Sequence, residues 1–220
     1  MTARFTNRTG GVSTGAFASL NLGDHVGDDP TAVAENRTIL AKKFGPVQFM
    51  KQVHGDRIAI IEEVTDEAPT ADALVTGIPG IALAVMVADC IPLLLKSPEV
   101  VAAVHVGRRG LQNEITRKTI ALMKDMGSSS ITAIIGPGIC GTCYEVSEDL
   151  FNEVVATHPF TESRTPTGTF ALDLHAGLRS VLSDEGIGIL DKFECTFENS
   201  KLFSYRRDSI TGRQAGIISL

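Results

Sequence analysis

Two apolar runs dominate the hydrophobic pattern, at residues 81–88 and 100–104. No polar residue interrupts either, and turn signals bound both. Short continuous runs of this kind read as strands buried in a core. Each ends in a reactive side chain, Asp89-Cys90 after the first and His105 after the second. The rest of the chain is punctuated more conventionally. Residues 3–6 read as a short strand. Asp29, as N-cap, and Pro30, at the first helical position, start a helix that carries Val33, Ile39 and Leu40 and stops at Gly45-Pro46. Strands follow at 47–53, 57–61 and 72–76. Helical spacing over 111–126 predicts a helix, and 131–135 a strand. A helix over 147–157, a polar loop at 161–169, a helix over 173–184 and a strand at 187–193 come next. A short strand at 202–205 and a strand at 213–220 close the pattern. Strands and helices mix without strict alternation. This predicts an α/β (α+β) fold with mixed β-sheets flanked by helices rather than a Rossmann unit.

Composition narrows the function. The chain has 220 residues, read as a single domain over 1–220, with 43% hydrophobic and 21% charged residues. A net charge of −6 and no broad basic face argue against a nucleic-acid partner. Trp is absent and aromatics are 5%, so stacking platforms for single strands are scarce. The first residues carry no apolar signal region, and no run approaches the roughly 20 residues that span a bilayer. The expectation is a cytoplasmic protein without a membrane partner, its four cysteines present as thiols. Neither G-x-G-x-x-G nor a P-loop lysine motif occurs.

Candidate chemistry gathers at predicted strand ends. His54, Cys90 and His105 offer two imidazoles and a thiolate, a three-ligand set for zinc with a fourth position free. Their separation matches no local metal motif, so a structural cysteine with two core histidines fits the sequence too. So does a thiol nucleophile with a histidine base. In the turn 105–110, two glycines allow close backbone approach and Arg108 and Arg109 suit phosphate or carboxylate. Arg8 stands beside a Gly/Ser/Thr turn at 10–15 that could expose amides to an anion. Gln52 falls at the same predicted strand end as His54. Cys140-Gly141-Thr142-Cys143 is a literal C-x-x-C, read as loop thiols or a redox dithiol. A zinc ribbon needs a second pair, and Cys195 stands alone. On the predicted strand at 202–205, Tyr205 and Arg207 share one face, Ser204 and Arg206 the other. His25, His158 and His175 show no partner pattern and receive no role.

Seven segments occur in a recognisable order. They are TNRTGGVSTGAFASLNLGDHVGDDPTAVAENR, KQVHGD, ADALVT, VADCIPLLL, VHVGRRG, GPGICGTCYEV and FSYRRDSITGR. Together they resemble the laccase-domain family of purine nucleoside phosphorylases, earlier labelled polyphenol oxidases or multicopper-oxidase-like proteins. The resemblance implies that His54, Cys90 and His105 bind a metal, zinc rather than copper. It implies phosphorolysis of adenosine, inosine and S-methyl-5'-thioadenosine to free base and ribose 1-phosphate, with adenosine deamination beside it. It implies a single α/β domain similar in fold to the cytotoxic necrotizing factor-like cysteine hydrolases. Nucleosides and phosphate are then the partners, and the chain a monomer or small homo-oligomer. Asp89 is the candidate for proton transfer or for orienting a ligand histidine. Arg8, Asn21, Gln52, Arg109 and Arg206 are the candidates for substrate binding. Arg108 stands where the family carries tryptophan, and Cys140 and Cys143 replace its frequent paired cysteines. Competing readings are a cysteine hydrolase or amidase using Cys90 and His105, including one that edits cell-wall precursors, a copper polyphenol oxidase, and a non-enzymatic metal- or partner-binding module.

Overall fold

The unbroken apolar runs are explained by a sheet sandwiched between other layers. In the computed structural model, which describes residues 2–220, twelve strands and six α-helices follow in chain order. They are β1 (Thr2–Phe5), α1 (Pro30–Phe44), β2 (Val47–Gln48), β3 (Ile58–Ile60), β4 (Ala73–Thr76), β5 (Ala82–Val87), β6 (Ile91–Lys96) and β7 (Val101–Val106). Then come α2 (Arg108–Gln112), α3 (Ile115–Asp125), β8 (Thr132–Ile135), α4 (Glu148–Thr157), β9 (Glu162–Arg164) and β10 (Phe170–Leu172). The chain closes with α5 (Leu174–Asp184), β11 (Gly188–Asp191), α6 (Tyr205–Asp208) and β12 (Gln214–Ser219). A six-stranded mixed sheet has the order β11-β8-β6-β7-β4-β3, and a four-stranded one β1-β12-β5-β2. β9 and β10 form a separate antiparallel pair.

Four layers result. Leu83, Val85 and Val87 of β5 face Leu74, Leu94, Val101 and Ala103 of the larger sheet, forming a dry core between the sheets. Val104, Leu93 and Leu95 face the other way, against Ile120 and Met123 of α3, Phe151 of α4 and Leu178 of α5. The outer face of the smaller sheet, with Ala84, Met86 and Ile217, packs on Leu40 of α1 and on Phe49. β5 and β7 are therefore buried along their whole length. A strand covered on both faces has no solvent side, so alternation disappears from its sequence.

The chain changes sheets at Ala88-Asp89-Cys90, between β5 and β6. Asp89 turns this corner with φ 95°, a region costly for a residue with a Cβ. Cys90 sits at the junction of the two sheets for this reason.

Several expected elements differ. β6 is a strand that the pattern did not predict, and its Pro92 is unusual in a central strand. Proline is tolerated there because pairing with β8 begins only at Leu93. The expected strand at 47–53 keeps ladder pairing only in β2, and its remainder is an extended loop with one bridge from Lys51 to Thr70. The expected helix over 111–126 breaks into α2 and α3 at Asn113-Glu114, where Glu114 adopts φ 59°. The polar loop at 161–169 contains β9 and leads into β10. The expected strand at 202–205 is absent; Ser204 accepts a hydrogen bond from Arg207 N at 3.2 Å and caps α6 instead. The start of α1 matches expectation, with Asp29 accepting from Thr31 N and Pro30 following.

Candidate active site

The site is assembled around one buried carboxylate. Asp72, fully buried just before β4, accepts hydrogen bonds from Val53 N (3.2 Å), His54 N (2.9 Å) and Gly55 N (2.7 Å). It also accepts from His105 Nδ1 at 2.8 Å, and its carbonyl accepts from His105 N at 2.8 Å. Three consecutive amides wrapped around one carboxylate force the loop into a tight turn, and His54 takes φ 58° within it. The turn brings the His54 ring to 4.7 Å from that of His105, edge on. His54 Nε2 lies 3.8 Å from Cys90 Sγ, and the donor atoms of His54, Cys90 and His105 all fall within 4.8 Å of one another.

Burial alone would lower the His105 pKa, but the neighbouring Cys90 thiolate and the Asp72 hydrogen bond raise it to about 9. Burial would raise that of Cys90, yet His105 and His54 bring it to about 6. For Asp72, burial is outweighed by the His105 and loop-amide hydrogen bonds, which hold the carboxyl below its ordinary range. At neutral pH these shifts make Cys90 and His105 a thiolate–imidazolium pair, and a metal that displaces the imidazolium proton would meet one soft thiolate and two imidazoles.

That set fits a borderline-soft cation such as zinc. With Nδ1 committed to Asp72, His105 presents Nε2 as its free donor, an arrangement that orients metal-binding histidines. Gly107 confirms how closely the trio is enclosed. A Cβ there would lie 2.9 Å from Cys90 Sγ and 3.3 Å from His54 Cδ2, so a side chain at this position would push the donors aside.

Above the trio opens a cavity of about 440 Å³, within the range of small-molecule sites. Arg108, Arg206 and Arg213 line it with Gln52, Tyr144 and Tyr205. The Arg206 guanidinium lies 5.3 Å from the centre of the Tyr144 ring, and Arg108 Nη1 donates to Gln112 Oε1. Burial pushes the Tyr144 phenol up, so it stays a neutral donor. Gln52 is locked by reciprocal bonds to Met86, Nε2 to its carbonyl at 2.8 Å and Oε1 from its amide at 2.9 Å.

The structure sorts the expected site residues. His54, Cys90, His105, Asp89, Gln52 and Arg206 meet at this cavity. Arg109 does not line this cavity but neighbouring depressions, one of them shared with His54, Cys90, Arg108 and Tyr144. Arg8 is turned away: its Nε donates to Ala18 O and its guanidinium lies over Phe203. Asn21 is fully buried and positions others, accepting from Gly23 N and Arg213 N. Asp89 does not orient a histidine; Asp72 does. The Asp89 carboxylate instead accepts from Thr196 Oγ1 and Arg206 N, both at 2.6 Å, and ties the α6 turn to the sheet junction. Arg207 does not share a strand face with Tyr205. It donates to the carbonyls of Thr196, Phe197, Asn199 and Leu202 and braces the loop. The residues missed were Asp72, Tyr144, Arg213 and His25. Asp72 left a signal, an acidic residue leading an otherwise buried strand. His25 and Arg213 reach the cavity from distant loops and left none.

Fold and site define a mixed α/β protein with a Cys/His donor trio on the floor of a small-molecule cavity. The family model described as multi-copper polyphenol oxidoreductase laccase matches residues 2–220, and the chain belongs to that family. The resemblance carried by the seven segments is thus borne out. A purine nucleoside phosphorylase of Corynebacterium glutamicum is 46% identical, with 98% of this chain and 93% of that protein covered. One from Streptomyces coelicolor is 43% identical over 98% of this chain and 94% of that one. Among solved structures, a Neisseria meningitidis protein has a TM-score of 0.90 at 39% identity, covering 98% of this chain and 92% of that one. YlmD from Geobacillus stearothermophilus gives 0.88 at 32% identity, covering 99% and 90%.

Proposed function

We propose that the chain is a zinc-dependent purine nucleoside phosphorylase acting on adenosine, inosine and S-methyl-5'-thioadenosine, releasing base and ribose 1-phosphate. Adenosine deamination is part of the same reading. The observation that carries it is the donor trio on the floor of a cavity ringed by three arginines and two tyrosines. The names of the relatives support it. His54, Cys90 and His105 would hold the zinc, which supplies Lewis-acid polarisation.

The remaining work falls to the chain's own groups. Phosphate needs an anion site, and Arg108, Arg206 and Arg213 furnish it, since guanidinium forks match phosphate oxygens; the phosphate they hold is the anion that faces the positive charge developing on the ribose. Tyr144 offers a flat face and a neutral hydroxyl to the base. Asp89 holds Arg206 at the cavity through its backbone, which makes it a positioning residue. Arg109, at the outer depression, suits phosphate arriving at the mouth. All these groups belong to one chain, so a monomer suffices and a small homo-oligomer remains compatible. Four free thiols suit a reducing, cytoplasmic setting. Among the described residues, no helix is long and apolar enough to cross a membrane.

A cysteine hydrolase is the second reading. Cys90, His105 and Asp72 are ordered as nucleophile, base and orienting carboxylate. Copper oxidation rests on the family's descriptive name alone, and five histidines are few for a multicopper centre. Incubation of adenosine with and without phosphate separates these readings. Phosphorolysis yields ribose 1-phosphate only with phosphate present. Turnover that ignores phosphate and chelators but stops on thiol alkylation would instead favour the hydrolase.

A further inference from the structure

Cys195 is not alone. The loop after β8 and the loop after β11 run side by side, joined by a parallel bridge between Gly138 and Cys195. Gly138 N donates to Glu194 O at 3.2 Å, and Thr196 N to Gly138 O at 3.0 Å. The bridge delivers Cys195 to the C-x-x-C turn and brings Glu198 with it. The donor atoms of Cys140, Cys143, Cys195 and Glu198 all lie within 4.8 Å of one another. Glu198 Oε1 is 3.5 Å from Cys143 Sγ and 4.0 Å from Cys140 Sγ.

We propose that these four residues form a second metal site, a closed tetrahedral site for zinc that fastens the two loops together. Three features carry it. The spacing is that of structural zinc sites, two residues between the members of each pair, with Cys195-x-x-Glu198 as the second pair and a carboxylate in place of one thiolate. The local turn is built for it. Cys143 N and Tyr144 N both donate to Cys140 O at 3.1 Å, which folds the C-x-x-C segment so that both sulfurs share one side. The sulfurs also receive outer support of the kind that tunes metal thiolates. Cys140 N points at Cys195 Sγ from 3.4 Å, and Thr142 Oγ1 lies 3.2 Å from Cys140 Sγ. The thiols of Cys140 and Cys143 both point at Glu198 Oε1, and a metal at their centre would take the place of those thiol protons. With four protein donors the site has no open position, so its role is structural.

Its place in the fold gives it a purpose. Ile139 and Tyr144, which flank the C-x-x-C segment, line the cavity. Thr196, next to Cys195, holds Asp89. A metal here would set the wall of the first site without touching substrate.

The decisive experiment is zinc content per chain for the full-length protein, expressed with zinc and desalted under reducing conditions. It compares the wild type, Cys143→Ser, Cys90→Ala and the double variant. Each Cys143→Ser substitution is expected to remove about one zinc, whatever the first trio holds. Cobalt added to metal-free Cys90→Ala protein should give thiolate charge-transfer bands and the intense visible bands of tetrahedral cobalt. Both should be lost in the double variant. The exposed Glu198→Gln change keeps the test alive if Cys143→Ser fails to fold, and should weaken zinc retention against a competing chelator at least tenfold. Unchanged zinc content in Cys143→Ser, or a Cys140–Cys143 disulfide in zinc-supplied protein by mass spectrometry, would overturn the proposal. The disulfide would make the pair a redox dithiol.

Discussion

Asp72 governs the candidate site although it touches no part of the cavity. One carboxylate fixes the turn that carries His54 and the ring orientation of His105. Replacing it with asparagine removes the charge and one acceptor while keeping the shape. Zinc affinity at the first site should fall roughly 10–100-fold, measured by competition with a chromophoric chelator. Retention of wild-type affinity would mean that His105 is oriented by packing alone. His54, Cys90 and His105 were legible as candidates because they end apolar runs or sit in quoted motifs. Asp72 left only the signal of an acidic residue leading a buried strand, and its role was not legible, since its partners lie on segments distant in sequence. The same holds for Cys195, whose partners become visible only when two loops are laid side by side.

His175 offers a separate test, because both its ring nitrogens lack hydrogen-bond partners and it is 2% exposed. Burial, with help from Arg179 and against Asp173 and Asp191, brings its pKa down to about 4. Its folded form is therefore neutral at a pH where the unfolded chain, with an ordinary value near 6.5, takes up a proton. Stability is fully present above about pH 6.5, falls as the pH drops, and levels off below about pH 4. The loss amounts to about 3 kcal/mol at most. Denaturant unfolding at a series of pH values checks this, and His175→Asn should show a flatter profile over the same window.

At the scale of elements, the core between the two sheets carries the site. Cys90 lies at the corner where the chain leaves β5 for β6, so the packing of those strands fixes where its sulfur points. Leu94, fully buried in that core, is a suitable probe. Leu94→Ala should cost about 2–5 kcal/mol in urea unfolding with an unchanged m-value. A cost below about 1 kcal/mol would mean that the sheets close over the cavity left behind. Apolar periodicity and caps were enough to find α1, α4, α5 and the two strands buried on both faces. They were not enough for β6, whose Pro92 carries the signature of a non-strand, or for α6. In α6 the alternation of aromatic and arginine was read with period two, while a serine cap and the Asp89 carboxylate select a helical turn. Tertiary hydrogen bonds overrode local pattern in that segment.

At the scale of the molecule, four layers bring loops from distant parts of the chain to one sheet junction, and the chemistry lies there. The layering was legible in outline, because continuous apolar runs demand covered strands. Of the arginines that face the cavity, Arg108 and Arg206 were legible as candidates and Arg213 was not. Arg8 and Arg213 are both arginines on glycine-containing loops, and only the three-dimensional path of Asn21 and its neighbours decides which one faces inward. The central claim is that the His54–Cys90–His105 trio makes the chain a metal-dependent phosphorylase. Its most direct test is phosphate-dependent adenine release from adenosine, followed in the purified protein, after chelation and zinc restoration, and in Cys90→Ala. The account predicts activity that vanishes with the metal, returns with zinc, and is absent from Cys90→Ala at any zinc level. Phosphorolysis that persists after complete metal removal, or in Cys90→Ala, would contradict it.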